Sequence, residues 1–230
     1  MRFQENIQQR FTARHRKSLD FVGSVNDKVI LDIGCSFGWF EKFTIENGSK
    51  EVVGIDLDEK NLLSASSQIN HELASFLKGS VLDLSILLEN HFDIVVMWEV
   101  LEHLSGNIER KAFGEIKRVL KPAGILCISV PNKNFWSCML DPAWYFGHKH
   151  YSRNHIVDIL SKAGFKTEKI EYGGGFYELF SMFLLYIFKW FFRSEIPFKN
   201  WFEIKREKEY FNDRGFVNLY VRGRKLPLPG

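Results

Sequence analysis

Two hundred and thirty residues, 45% hydrophobic and 26% charged, can bury one substantial core and exclude a disordered or collagen-like chain. A net charge of +3 does not argue for a nucleic-acid partner, and none is expected. The charge is uneven: residues 1–17 hold five basic and one acidic side chains, residues 189–225 hold ten against five, and the body between them is acidic. Cys35, Cys127 and Cys138 lack C-x-x-C spacing, which argues against a disulfide framework or zinc knuckle and fits a reducing cytoplasm. The polar start carries no apolar h-region, so no secretory signal is expected. The longest uncharged apolar stretch, ten residues over 179–188 between Glu178 and Lys189, is short of a membrane span.

Short β-branched runs alternate with helical patterns, the signature of a parallel α/β sheet. Residues 1–22 read as an amphipathic helical extension. The run 29–33 stops at Gly34 and reads as a buried strand; 37–47 reads as a helix ended by Gly48. A second strand is predicted over 51–55, a helix over 61–73, a weaker strand over 76–81 and a fourth over 92–97. A helix over 108–120 closes on Lys121-Pro122-Ala123-Gly124, and a fifth strand over 124–130 breaks at Pro131. Ser152 is a good N-cap for a helix to about Lys162, with Gly164 as its stop. Two late strands follow, over 166–172 and 217–224, separated by a long excursion.

The first strand runs into Asp32-Ile33-Gly34-Cys35-Ser36-Phe37-Gly38. Glycines at a strand-to-helix turn let backbone amides approach a ligand at a helix N-terminus. A nicotinamide fingerprint wants glycines at relative positions 1, 3 and 6; here they fall at 1 and 5, which disfavours a nicotinamide oxidoreductase. Asp56 ends the second strand 22 residues after Gly34, where a carboxylate can take both hydroxyls of a ribose. The pair points to nucleoside binding.

At these residues the chain resembles the class I S-adenosylmethionine-dependent methyltransferases, in the branch of small-molecule and lipid-precursor enzymes that includes the ubiquinone pathway. The resemblance spans about residues 25–172 plus the last strand, through VILDIGCSFG, VVGIDLD, the stretch 79–83, FDIVVMWEVLEHL and RVLKPAGILCISVPN. It implies a Rossmann-like, seven-stranded, mostly parallel sheet flanked by helices, with S-adenosyl-L-methionine as cofactor. One domain over 1–230 is expected: an N-terminal helical extension (1–24), a cofactor-binding core (25–172), a helical insert or lid (173–216) and the last strand (217–225). By the same resemblance Asp32, Gly34, Cys35, Ser36 and Gly38 surround the methionine part and the ribose face. Asp56 holds the ribose hydroxyls, Leu57 lies beside the adenine, Asp83 accepts from the adenine amino group, and Trp98 and Glu99 lie near the sulfonium. Ser36 and Ala123 stand where the family usually has Gly.

A sulfonium methyl is already activated, so the protein has mainly to align the reactants and exclude water. A hydroxyl acceptor gains from a general base, and His103 and His150 are the candidates, His150 within the cluster His148-Lys149-His150-Tyr151. Glu99, Glu102 and His103, at i, i+3 and i+4 of a helix, would share one face. Their string resembles a divalent-ion motif of small-RNA 2′-O-methyltransferases and ubiquinone-pathway O-methyltransferases, but many relatives carry it without a metal role, and no metal is assigned. Phe37, Trp39, Phe40 and Phe43 read as core. Phe135, Trp136, Trp144, Tyr145 and Phe146 read as acceptor lining.

The expected activity is methyl transfer to a small-molecule, saccharide or lipid-linked acceptor, at oxygen; the competing reading is a non-catalytic S-adenosylmethionine-fold binding module. The excursion holds FYELFSMFLLYIFKWFF over 176–192, followed by Arg193, Lys199, Lys205, Arg206 and Lys208. Apolar almost all round, it is either a lid over the acceptor or a peripheral contact with an anionic membrane on the cytoplasmic side.

Overall fold

The computed structural model describes residues 11–104, 108–188, 199–212 and 215–227. The predicted start of the N-terminal helix (1–10) and the rim residues Lys189, Trp190 and Arg193 lie outside the described residues. Seven strands form one sheet in the order β3-β2-β1-β4-β5-β7-β6. They are β1 (Val29–Ile33), β2 (Glu51–Asp56), β3 (Ala74–Lys78), β4 (Phe92–Trp98), β5 (Leu120–Pro131), β6 (Phe165–Gly173) and β7 (Asn218–Lys225). The first five are parallel, and β7 runs antiparallel between β5 and β6. The Rossmann-like, mostly parallel sheet expected from the sequence is therefore present. Strand β1 is buried at every position, as a central parallel strand with helices on both faces must be.

The helices are α1 (Ala13–Val22), α2 (Trp39–Glu46), α3 (Glu59–Gln68), α4 (Glu109–Val119), α5 (Phe135–Leu140), α6 (Pro142–Tyr145), α7 (Arg153–Lys162), α8 (Phe176–Ile187) and α9 (Lys199–Tyr210). One core lies between the sheet and α4 and α7, through Phe113, Ile116, Ile156 and Leu160. The other joins α1 and α2 to the opposite face, through Phe21, Trp39, Phe40, Trp98 and Tyr220. Phe37, Trp39 and Phe40 are core, as read from their spacing.

Several boundaries differ from expectation for local reasons. Strand β3 ends at Lys78, and Val81 instead plugs the core from a turn bridged between Ser80 and Asp83. Helix α3 starts two residues earlier, because the Asp58 carboxylate caps it by accepting from Lys60 N at 2.9 Å. Strand β5 runs back through the Lys-Pro-Ala-Gly turn to Leu120, with a register shift against β4 between Phe92 and Ile94. The Ser152 cap of α7 and the Gly164 stop, at φ +84°, stand as read. Helices α5 and α6 went unread; their signals are side-chain caps by Asn134 on Ser137 N and by Asp141 on Ala143 N.

Candidate active site

The sheet order reverses between β1 and β4, the place where an open parallel sheet leaves a crevice at its strand ends. On the β1 side the chain turns through Gly34 at φ +81°, Ser36 at φ +49° and Gly38 at φ +83°, and Gly38 is the N-cap of α2. Ser36 is the one non-glycine residue among these left-handed positions, which disfavour a Cβ by roughly 1 kcal/mol. Its N–H donates to Asp56 Oδ2 at 2.9 Å, and Asp56 Oδ1 accepts from Asp58 N at 2.8 Å. A carboxylate has about four acceptor positions, so Asp56 ties the turn to the tip of β2 and keeps capacity for two hydroxyls. Leu57, beside it, is 71% exposed and offers an open apolar face.

Beneath the turn lie two carboxyls. Asp32 and Glu41 are both buried, and none of their four oxygens has a hydrogen-bond partner. Burial first, and then charge repulsion, with Asp56 for Asp32 and with Asp32 for Glu41, holds each well above the usual carboxylate range. Cys35 is buried as well, its thiol pushed far up by the same causes. Sequence reasoning missed Glu41; the available signal was a lone acid in the apolar start of α2, Trp39-Phe40-Glu41.

On the β4 side, Glu99 sits at φ +54°, followed by a 3₁₀ turn over Leu101–His103. The α-helical geometry expected for Glu99, Glu102 and His103 is therefore absent. The Glu99 carboxylate accepts from Ser129 Oγ at 2.8 Å, Asn218 Nδ2 at 3.1 Å and Arg14 Nη1 at 3.1 Å. With those donors on β5, β7 and α1, it stitches four elements together. Among the described residues, no group of three or more His, Cys, Asp and Glu side chains is placed to hold a metal ion. Trp98 belongs to the core, edge-on to Phe40 at 6.0 Å, and its indole N–H has no partner.

Beside Glu99 opens a cavity of about 230 Å³, lined by Arg14, Glu102, His103, Ser137, Asp141, His148 and His150 together with Glu178, Leu179, Met182 and Tyr186 of α8. The His103 and His148 rings meet edge-on at 4.5 Å. Desolvation first, and then the neighbouring His148, lowers the His103 pKa, which favours the neutral imidazole. His150 is held differently. Its Nε2 meets Asp141 Oδ2 at 3.0 Å, its Nδ1 lies 3.6 Å from Cys138 Sγ, and Trp144 packs edge-on against the ring at 5.0 Å.

Two groups of predicted site residues stand elsewhere. Asp83 accepts from Ser85 N at 3.1 Å and lines a groove with Lys111, Glu115 and Arg118 of α4. Phe135, Trp136, Tyr145 and Phe146 are exposed and do not line the cavity; α5 and α6 turn Ser137, Asp141 and Ala143 toward it. Phe135, Trp144 and Tyr145 instead line an open groove with Cys138 and Met139.

Known proteins resemble this chain in sequence and in fold. Residues 31–128 match the family model described as a methyltransferase domain. A probable S-adenosylmethionine-dependent methyltransferase of Mycolicibacterium smegmatis is 28% identical over 154 residues, covering 65% of this chain and 58% of that protein. A ubiquinone biosynthesis O-methyltransferase of Nitrosospira multiformis is 31% identical over 115 residues, covering 46% of this chain and 44% of that one. The chain thus spans less than two thirds of either relative. A crystal structure of a Listeria monocytogenes protein, described as a putative S-adenosylmethionine-dependent methyltransferase, superposes with a TM-score of 0.67 at 16% identity over 94% of this chain and 99% of that one, which shows the fold. Residues 31–128 are thus similar to a methyltransferase domain, on a fold shared with the Listeria protein.

S-Adenosylmethionine, the family's cofactor, fits the residues present. The orphaned acceptors of Asp32 under the glycine turn suit a ligand carrying ammonium and sulfonium charge, and the half-used Asp56 carboxylate suits a ribose.

Proposed function

We propose that the protein transfers the cofactor methyl group to a hydroxyl of a small-molecule, saccharide or lipid-linked acceptor seated beside Glu99. One observation carries this reading. The glycine turn ends β1, the cavity opens at the end of β4, and the two strands pair in register from Ile30–Ile94 to Ile33–Met97. A cofactor on the turn and an acceptor in the cavity would then be neighbours across one strand spacing of about 5 Å.

When bound, S-adenosylmethionine supplies a methyl group activated by the sulfonium charge. In this reading the amides over Gly34–Gly38 and the Asp56 carboxylate hold the nucleoside, Leu57 borders the adenine, and Asp32 meets the cationic methionine end. Cys35, Ser36 and Trp98 shape the walls around it. Glu99, fixed by Arg14, Ser129 and Asn218, sets the position of the methyl donor relative to the cavity. His103, its pKa lowered, would take the acceptor's hydroxyl proton as that oxygen receives the methyl group. His150, with both ring nitrogens engaged, holds the cavity wall rather than the proton. Helix α8 lines the cavity with Glu178, Leu179, Met182 and Tyr186, which supports the lid reading.

No helix among the described residues is long and apolar enough to cross a membrane. All three cysteines are free, which supports placement in a reducing cytoplasm. The direct test supplies cofactor with an isotopically labelled methyl group and a panel of hydroxyl, amine and thiol acceptors. Labelled ether product supports the reading; cofactor affinity without turnover on any class would make the protein a binding module.

A further inference from the structure

Helix α8 carries apolar side chains on two adjoining faces, about a quarter-turn apart. Leu179, Met182 and Tyr186, at i, i+3 and i+7, wall the acceptor cavity. Phe176, Phe180 and Phe183, at i, i+4 and i+7, face outward and are 56%, 51% and 43% exposed. The cavity accounts for the first stripe, whereas the second belongs to neither core. It continues across both neighbours. Phe176 meets Trp136 of α5 edge-on at 5.8 Å, Tyr177 meets Trp201 of α9 edge-on at 5.6 Å, and Ile204 extends the same side of α9 at 58% exposure.

The charges around this stripe are sorted by sign. The acids of α9 turn away from it: Glu203 accepts from Ala13 N and pairs with Arg16 and Arg206, Glu207 pairs with Arg16 at 3.0 Å, and Glu209 accepts from the first amides of α8. Lys205 instead lies over the rings of Tyr177, at 5.8 Å, and Trp201, at 5.5 Å. Lys199 and Lys208 are exposed on the same helix. An aromatic stripe with a cationic rim is what an anionic headgroup layer binds: rings enter the interface and lysines meet phosphate. An aromatic patch this continuous is otherwise rare on a monomer surface.

We propose that the outer face of α8 and α9, with Trp136, docks on an anionic phospholipid bilayer, and that the cavity behind α8 draws its acceptor, an amphiphile bearing a hydroxyl, from that bilayer. The docking stands independently of the proposed reaction; the nature of the acceptor rests on it.

The full chain is floated with vesicles of phosphatidylcholine alone and of phosphatidylcholine mixed with phosphatidylglycerol. The wild type is expected to float with the mixed vesicles, to bind the neutral ones weakly and to be released by salt. Phe180→Glu with Phe183→Glu is expected to lower binding at least about tenfold, and Lys205→Glu to do so in part. Unchanged affinity for S-adenosylhomocysteine in each variant reports that the fold is intact. A wild type that ignores both vesicles, or a double variant that floats as well as the wild type, overturns the docking. So does a wild-type dimer that the double variant dissociates without any vesicle binding, since a second copy would then cover this face. Flotation without methylation of any hydroxyl amphiphile overturns the acceptor assignment alone.

Discussion

The two sides of the active site are built by different means. From β1 to β4 the chain places the candidate cofactor residues with its backbone, through strands buried on both faces and a turn whose φ values fix where the amides point. On the acceptor side, placement depends on side-chain bonds between distant elements. Arg14 reaches Glu99, Ala13 N reaches Glu203, and Glu209 caps the start of α8, where Gly175 has no side chain to do so. Gly173, Gly174 and Gly175 admit this packing, since a Cβ on the first or the last would lie 2.7 Å from Tyr210 or Glu209. A backbone-built site is rigid and generic; a side-chain-built one can change its acceptor by changing a few ends. If that contrast holds, variants on the two sides should move different observables.

The largest expected effect falls on the acceptor side. His103→Ala is expected to lower kcat by about 100- to 10,000-fold, the range for loss of a general base, with cofactor affinity unchanged. Steady-state kinetics beside a titration with S-adenosylhomocysteine separate the two, and wild-type kcat would remove His103 from the proton path. On the cofactor side, Asp56→Ala should do the reverse. It removes a charge-assisted acceptor from the ribose and from Ser36 N, a loss of roughly 3 kcal/mol or about 100-fold in affinity, while the buried strands keep the fold. Unchanged affinity would mean that the nucleoside lies elsewhere.

This contrast also decides what was legible in the sequence. Strand β1 falls on its predicted residues, and Gly34, Gly38 and Asp56 stand where read, because each is governed by neighbours within a few residues. The Ser152 cap was legible for the same reason. Arg14, Glu178 and Asn218 line the cavity unannounced, because their place comes from partners 85, 28 and 119 residues away. Which way the α5–α6 aromatics turn was not legible, because composition shows that a segment is apolar and not its orientation; there, caps by Asn134 and Asp141 set it.

A smaller effect is expected at Glu209. Its carboxylate accepts from Gly175, Tyr177 and Glu178 amides at 3.0 Å each, in place of an N-cap. Glu209→Ala should cost about 2 kcal/mol, the upper end for a cap. Hydrogen exchange should quicken over α8, and KM for the acceptor should rise while cofactor affinity holds. An unaltered exchange pattern over 176–187 would show that α8 is held by its packing alone.

The smallest effect tests the backbone-built side through its buried acids. Asp32 and Glu41 have pKa values raised in the folded chain above those of an exposed carboxyl. The folded state therefore keeps protons that the unfolded chain has released, and the linkage has a definite sign. Their contribution to stability is fully present below about pH 4, the unfolded carboxyl range, and declines as pH rises toward the raised folded values. Glu41→Gln removes one of the two protons at issue and keeps the shape. The variant is expected to be more stable than the wild type by on the order of 1 kcal/mol near pH 8, and to converge with it near pH 5. Thermal unfolding at the two pH values measures the difference. A gain of equal size at both would mean that Glu41 is ionised in the folded chain as in the unfolded one, and that the repulsion under the glycine turn is relieved by protonation of Asp32 alone.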